Sequence, residues 1–371
     1  MRVTGKMIRQ KILNNTGTAM ERLQFAQTQM ATGRRILKPS DDPLSLYKAI
    51  RARAILKDDL QYLRNIEDAL SWLENTEPEV DAMVTVMTEL KEIAIEGASD
   101  NKSAGQRQVL GAQVDDLIER LVSLANTRFG GKYVFAGTYT TTPPYGANRT
   151  VTGETAGFPG LEYVDLDHAA ILEGSVTVTG PMGQVYTEGV DYEVDFGAGR
   201  IRRLEGGAMA AGDLFSVSYD TEGISGVTLQ VPGTGGDLVR EIAPGLHEKL
   251  NTGGEEIFSS RLDIFDLLIR VKNDLYRNDG AAVNESLTDI EAAIDHVASV
   301  LGDHGMKLNV FQLAGSRLET EMVNLEALIS GYQDADMAEV LVRFETEQMA
   351  YESALAAAAQ IMNTSLINFI T

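Results

Sequence analysis

Apolar residues recur along both ends of this chain in alternating steps of four and three. Near the start the series runs Ile8, Ile12, Thr16, Met20, Leu23, Gln27, Met30. A second reads Leu110, Val114, Leu117, Leu121, Leu124. The longest opens at Val283, Leu287, Ile290, Ile294, Val297 and Leu301 and continues to Tyr332, with His304 and Gly315 as its only misfits. The last reads Leu341, Phe344, Gln348, Tyr351, Leu355, Ala358, Met362. Steps of four and three average about 3.5 residues, the seam of a coiled coil. Any one segment also fits an ordinary amphipathic helix; the set together predicts a coiled-coil-like bundle. Residues 45–97 carry a further helical pattern through Leu56, Leu60, Leu63, Ile66, Leu70, Leu73, Val80, Met87 and Leu90, with Pro78 inside it. Proline is expelled from helix interiors, so this stretch predicts two helices or one with a sharp kink. The glycines of "GDHG" at 302–305 mark a second possible break.

Residues 138–253 have a different texture, rich in Gly, Thr, Val and Tyr with period-two alternation. "SVTVTG", "YEVDFGAGRIRRL", "DLFSVSYD" and "GVTLQV" read as short strands, the second folding back as a hairpin across Gly197, Ala198 and Gly199. Short strands so spaced predict a small sandwich or barrel. The expected class is α+β: a long antiparallel helical bundle built from the two ends of the chain, with a small all-β domain inserted. The expected divisions are a core helix and joint at 1–42, bundle helices at 43–137, the β-rich insert at 138–253, bundle helices at 254–332, and a second core helix at 333–371.

The stretch "TGRRILKPSDDPLSLYKA" from Thr32 to Ala49 is a stop and a restart. Gly33 can end the first helix in a left-handed conformation. Lys38 precedes proline and is biased to extended geometry. Asp42 can cap the next helix with Pro43 at its first position, where a missing N–H costs nothing. Arg34, Arg35 and Lys38 share the loop with Asp41 and Asp42. This is either a plain polar linker or one that docks on neighbouring subunits and fixes an inter-domain angle. "SGYQDADMAEV" at 330–340 is its counterpart, with Asp334 or Asp336 as the cap of the last helix.

At about 1.5 Å per residue the terminal helices, 6–32 and 336–369, would be roughly 40 and 50 Å long. Each has an apolar stripe and no third helix beside it in sequence. Isolated helices are marginal in water, and each large apolar side chain left wet forgoes about 1.5–3 kcal/mol. The two ends are therefore expected to be mobile in a lone copy and to order when several copies bring their seams together. Ile8, Ile12, Met20, Leu23, Met30, Leu355, Met362, Leu366 and Phe369 are the candidate inter-subunit residues. Arg34, Arg35, Asp41, Asp42, Asp334 and Asp336 are the candidate joint.

Composition narrows the chemistry. Among 371 residues, 54 are acidic and 32 basic, a net charge of −22, which disfavours nucleic acid and anionic membranes. There are no cysteines, so disulfides and thiolate chemistry are excluded. "MRVTGKMIRQ" lacks the apolar core of a secretory signal, and no apolar run reaches the roughly 18 residues of a membrane span. The four histidines, His168, His247, His296 and His304, have no metal-ligand spacing. The paired aspartates read as caps, "GTGGD" lacks a phosphate-loop lysine, and the three Asn-X-Ser/Thr sequons read as chance matches. No catalytic, cofactor or metal residue is expected, and the chain reads as a structural protein rather than an enzyme. An adhesin-like module in the β insert is the other class; it would show an exposed aromatic patch or cleft near Tyr186 and Tyr192.

"RLQFAQTQMATGRRILKPSDDP", "LKEIAIEGASD" at 90–100, "LANTRFGGKYVFAGT" at 124–138, "SGYQDADMAEV" and "SALAAAAQIMNTSLINFI" resemble the bacterial flagellin superfamily. The likeness covers roughly the first 137 and last 115 residues; the middle does not match. "KPSDDP", "GKYVFAGT" and the "SLINFI" ending are similar to the hook–filament junction branch rather than to flagellin itself. The resemblance implies a secreted, non-enzymatic motility protein without cofactors. It would form one ring of about eleven copies between hook-associated protein 1 and the flagellin filament. It also implies export unfolded through the flagellar type III channel, and an export chaperone gripping Leu355, Met362, Leu366 and Phe369. "LKEIAIEG" is similar to the flagellin patch seen by an innate immune receptor, with Lys91 where flagellin has arginine; a plain bundle face is the simpler reading.

Overall fold

The structure, a computed structural model, describes the backbone of residues 5–370 and the side chains of Met7 and of residues 10–360. Ile8, Met362, Leu366 and Phe369 lie outside the described side chains. Seven helices run in the order α1 (Gly5–Thr32), α2 (Pro43–Ala98), α3 (Ala104–Ala125), α4 (Gly254–Phe258), α5 (Ile264–Tyr276), α6 (Gly280–Gln333) and α7 (Met337–Ile370) among the described residues. The chain divides into two compact units, one of residues 1–63 and 316–371, the other of residues 64–315. The fold class is the expected one: long helices from both ends of the chain and a small antiparallel β insert.

In the first unit α1 packs against α7. Apart from Gln29 at the joint, the residues of α1 withdrawn from solvent are Ile12, Thr16, Ala19, Leu23, Ala26 and Met30; those of α7 are Val340, Phe344, Glu347, Tyr351, Ala354 and Ala358. Both sets step by four and three, the coiled-coil spacing. The sequence pattern placed Met20 and Gln27 where Ala19 and Ala26 lie, and Leu341, Gln348 and Leu355 where Val340, Glu347 and Ala354 lie. The seam takes Ala19, Ala26 and Ala354 beside Ile12, Leu23, Met30, Phe344 and Tyr351, and leaves Met20 and Leu355 each 43% exposed.

In the second unit α2 and α6 are unbroken at both suspected breaks. Pro78 sits inside α2 and residues 302–305 inside α6. In the two turns before the proline, the Ser71 and Trp72 carbonyls accept the Asn75 amide and the Thr76 hydroxyl at 2.7 Å each. His304, fully buried, brings its Nε2 2.9 Å from the Leu73 carbonyl. Pro78 offers no N–H to the Glu74 carbonyl; the buried residues on either side, Leu73 and Thr76 before it and Val80 and Met83 after it, hold the helix through that gap. The same histidine ties the Gly302–Gly305 turn to α2, offsetting the roughly 1 kcal/mol that a helical glycine costs. Ile66, Leu73, Met83, Met87 and Leu90 of α2, Val114, Ile118 and Leu121 of α3, Leu268, Val271 and Leu275 of α5, and Val283, Ile290 and Val297 of α6 form the helical core.

The β insert has a four-stranded antiparallel sheet, in spatial order Thr150–Gly157, Leu214–Asp220, Thr177–Thr179, Val185–Tyr186. A three-stranded sheet runs Val164–Asp165, Arg200–Arg203, Tyr192–Asp195. The last two strands are the expected hairpin, and Gly199 turns it at a φ of 65°. Phe158, Leu166, Val178, Tyr192, Ile201, Phe215, Val217 and Tyr219 form its core.

Candidate assembly site

The two joints, expected separately from sequence, lie side by side. The α1 helix ends at Gly33, whose φ is 67° and whose N–H bonds the Gln29 carbonyl at 2.8 Å. Arg34 then pairs with Asp334 as an antiparallel bridge. The Arg35 N–H donates to the Gln333 carbonyl at 2.8 Å, and the Ala335 N–H to the Gly33 carbonyl at 2.9 Å. This short ladder leaves α1 and α7 running in opposite directions.

Side chains reinforce it. The Arg35 guanidinium donates to the Tyr332 carbonyl at 2.8 Å and reaches Asp42 at 3.4 Å. Buried Gln29 donates from Nε2 to the Arg35 carbonyl at 2.7 Å, and Arg53 donates to the buried Gln333 Oε1. Asp41 Oδ2 accepts the N–H groups of Leu37 and Lys38 at 2.9 and 2.8 Å, fixing the loop before Pro39. Asp42 Oδ1 accepts the Ser45 N–H at 3.0 Å, capping α2 with Pro43 at its first position. Those Ser45 bonds, helped by Arg35, hold the Asp42 carboxyl below the ordinary aspartate range. Asp336, not Asp334, caps α7: its Oδ1 accepts the Ala338 and Glu339 N–H groups at 2.9 and 3.3 Å. Asp334 acts through its backbone, its N–H bonding the Ser330 carbonyl at 2.8 Å.

The candidate inter-subunit residues divide between two faces. Ile12, Leu23 and Met30 line the α1–α7 seam, half-buried; Met20 and Leu355 are exposed. Leu13, Phe25, Leu341, Val342 and Met349, none of them in the candidate set, are also exposed. Within the same unit α2 exposes Leu44, Tyr47 and Ile50, and α6 exposes Val323 and Leu328.

Other expectations resolve differently. Tyr186 and Tyr192 are 9% and 2% exposed and belong to the β core, so neither forms a surface aromatic patch. Both tyrosines lie on the inward face of their strands, where alternate side chains point to the core. Lys91 pairs with Glu291 at 2.8 Å. Among the described residues no three His, Cys, Asp or Glu side chains converge as a metal site, and no helix is long and apolar enough to cross a membrane.

Sequence reading missed two buried cations. Arg107 closes the end of α2, donating from Nε to the Gly97 carbonyl at 2.8 Å, from Nη2 to the Ser99 carbonyl at 2.9 Å, and from Nη1 to Asn278 Oδ1 at 2.6 Å. Lys272 of α5 donates to Asp115 Oδ1 at 3.2 Å and to the Ile224 carbonyl. Its neighbour Asn273 bonds the backbone of Asp167 and Ala169 at 3.0 and 3.1 Å. Together they tie the β insert to the helices of the same unit. Burial holds the Lys272 ammonium below the ordinary lysine range, and Asp115 opposes that shift.

Comparison with known proteins places these features. The bacterial flagellin N-terminal helical region matches residues 3–140 and the bacterial flagellin C-terminal helical region matches residues 287–370, together more than half of the chain. Polar flagellin C of Vibrio parahaemolyticus is 23% identical over 98% of this chain and 96% of its own length. Flagellar hook-associated protein 3 of Escherichia coli is 27% identical over 39% of this chain and 46% of its own length. A solved structure assigned to a flagellar hook-associated protein of Vibrio parahaemolyticus superposes with a TM-score of 0.51 at 15% identity, covering 79% of this chain and all of that one. The two matched regions contain the paired joints, α1 and α7, and on them the chain belongs to the bacterial flagellin superfamily.

Proposed function

We propose that this protein is a structural subunit of the bacterial flagellum, the counterpart of hook-associated protein 3, and forms the junction between hook-associated protein 1 and the flagellin filament. The observation that carries the reading is the pair α1 and α7: they pack on a seam that is only half-buried along most of its length and keep further large apolar side chains, Leu13, Phe25, Val342 and Met349 among them, on the outside. Such a pair is suited to burial among copies of itself. The "KPSDDP", "GKYVFAGT" and "SLINFI" segments favour the junction branch over filament subunits, and the Escherichia coli relative carries that name. A ring of about eleven copies, export through the type III channel, and a chaperone on the C-terminal helix complete the proposal. In it the bundle forms the wall of a tube, the terminal helices its inner lining, and the paired joints set the angle between them.

Deletion of the gene tests it. Hooks should remain intact while flagellin is secreted as monomer. If deletion only shortens filaments, the chain is a filament subunit, the second reading favoured by its full-length likeness to Polar flagellin C.

A further inference from the structure

A cavity of about 240 Å³ opens at the joint of the first unit. Ile36, Leu37 and Leu46 give it apolar walls, and the exposed Arg34 and Lys38 line it as well. Neither cation has an ion-pair partner among the described residues, although the chain has 22 more acidic than basic side chains. Ion pairing within the loop falls to Arg35 alone, with Asp42.

The complementary surface is also in this unit, on α6. Glu319, Val323 and Glu326 are spaced four and three apart and share one helix face. Val323 is 65% exposed, and both glutamates are exposed. Acidic side chains gather on this unit: Asp58 and Glu321 lie near Asp59. Asp59, 6% exposed, has no partner for its Oδ2. Burial, with Glu321 and Asp58 nearby, pushes its carboxyl up.

We infer that the joint cavity of one copy receives the α6 face of a second copy, with Val323 between the apolar walls and Glu319 and Glu326 against Arg34 and Lys38. Cavity and knob lie on different elements, so the contact is head-to-tail. Such a contact leaves one cavity and one knob free at the ends and propagates around a ring or along a helix. The charged rim sets the register, and the apolar knob supplies contact area. The inference rests on the junction reading only for the kind of assembly in which the contact occurs.

The absence of cysteine makes the test direct. The full chain carrying both Leu37→Cys and Val323→Cys is expressed in flagellated cells, and intact flagella are oxidised. A ladder of cross-linked multimers is expected, with no ladder from either single variant. In parallel, Arg34→Glu with Lys38→Glu should raise the unassembled fraction at least tenfold, and adding Glu319→Lys with Glu326→Lys should restore assembly. The four charged side chains are exposed, and circular dichroism confirms that each variant keeps its helicity. Harmless reversals would overturn the proposal. So would reversals that block assembly without rescue or ladder, since the cavity then faces a different chain. The deletion phenotype is scored separately: a ladder along whole filaments would keep this contact and refute the junction reading.

Discussion

Replacing Lys272 by methionine isolates the tie between the β insert and the helices. Methionine keeps most of the buried stem and deletes the ammonium. The Lys272 side chain is 2% exposed, and that of its partner Asp115 is 20% exposed. Two bonds are lost, one to the carboxylate and one to the Ile224 carbonyl. Removing one member of a buried ion pair costs about 3–5 kcal/mol when the other charge is stranded. Asp115 is not fully stranded: it keeps the Ile224 N–H at 2.9 Å and touches solvent. The expected cost is therefore about 3 kcal/mol. Adding Asp115→Asn removes the stranded charge and should recover about half of it. Urea unfolding followed by fluorescence of the single tryptophan, Trp72, measures both, since Trp72 is in the same unit. Because the folded-state affinity of Lys272 for its proton is depressed, this group makes stability rise with pH from its folded pKa up to its ordinary value of 10.5. Lys272→Met should lose that increment. A single variant within about 1 kcal/mol of wild type, or a double variant no better than the single, would refute the argument.

Gly97→Ala places a methyl 2.3 Å from Leu275 Cδ2, so overpacking of about 1–3 kcal/mol outweighs a helix-propensity gain of about 1; Gly105→Ala, in open space on α3, should raise the melting temperature instead. Asp336→Ala removes the α7 cap and should cost about 1 kcal/mol, seen as faster hydrogen exchange at Ala338 and Glu339. Burial pushes the Asp274 carboxyl up to about 6, so its contribution favours the folded chain as pH falls from 7 towards the ordinary value of 3.8; Asp274→Asn should flatten that part of the stability profile against wild type. The purified chain should sediment as a monomer at micromolar concentration; a stable dimer there would contradict assembly through many weak contacts.

The helical ends were legible because two independent signals agreed, periodicity and caps. Gly33, Asp42 and Pro43 do what their residue types dictate, since a left-handed stop and an N-cap are local events. The pairing of Arg34 with Asp334 was not legible: the two positions are 300 residues apart, and nothing in either strip names the other. Pro78 and the 302–305 glycines misled because local propensity was overruled by tertiary packing, of which the buried His304 reaching the Leu73 carbonyl is one part. Arg107 and Lys272 escaped notice because a buried cation looks like a surface one until its partners are placed. The β strands could be recognised, but which face of Tyr186 and Tyr192 turned inward depended on sheet pairing that period-two alternation leaves open.

The exchange of Ala19 and Ala26 for Met20 and Gln27 on the α1 seam bears on assembly. Ala19, Ala26 and Ala354 bury little apolar area at their places on the seam, while larger apolar side chains beside it stay wet, so α1 and α7 gain less from each other than their composition allows. Exposed Leu13, Phe25, Val342 and Met349 would each gain about 1–2 kcal/mol if neighbours covered the area now wet, a total of several kcal/mol. Association of two protein copies costs about 4–15 kcal/mol in lost freedom before any gain appears. One such interface is near break-even. A copy that joins an existing surface and meets several neighbours at once pays that loss only once while adding contacts from each. The arrangement therefore favours growth on a preformed end over spontaneous pairing in solution, which is the behaviour the proposed junction role requires.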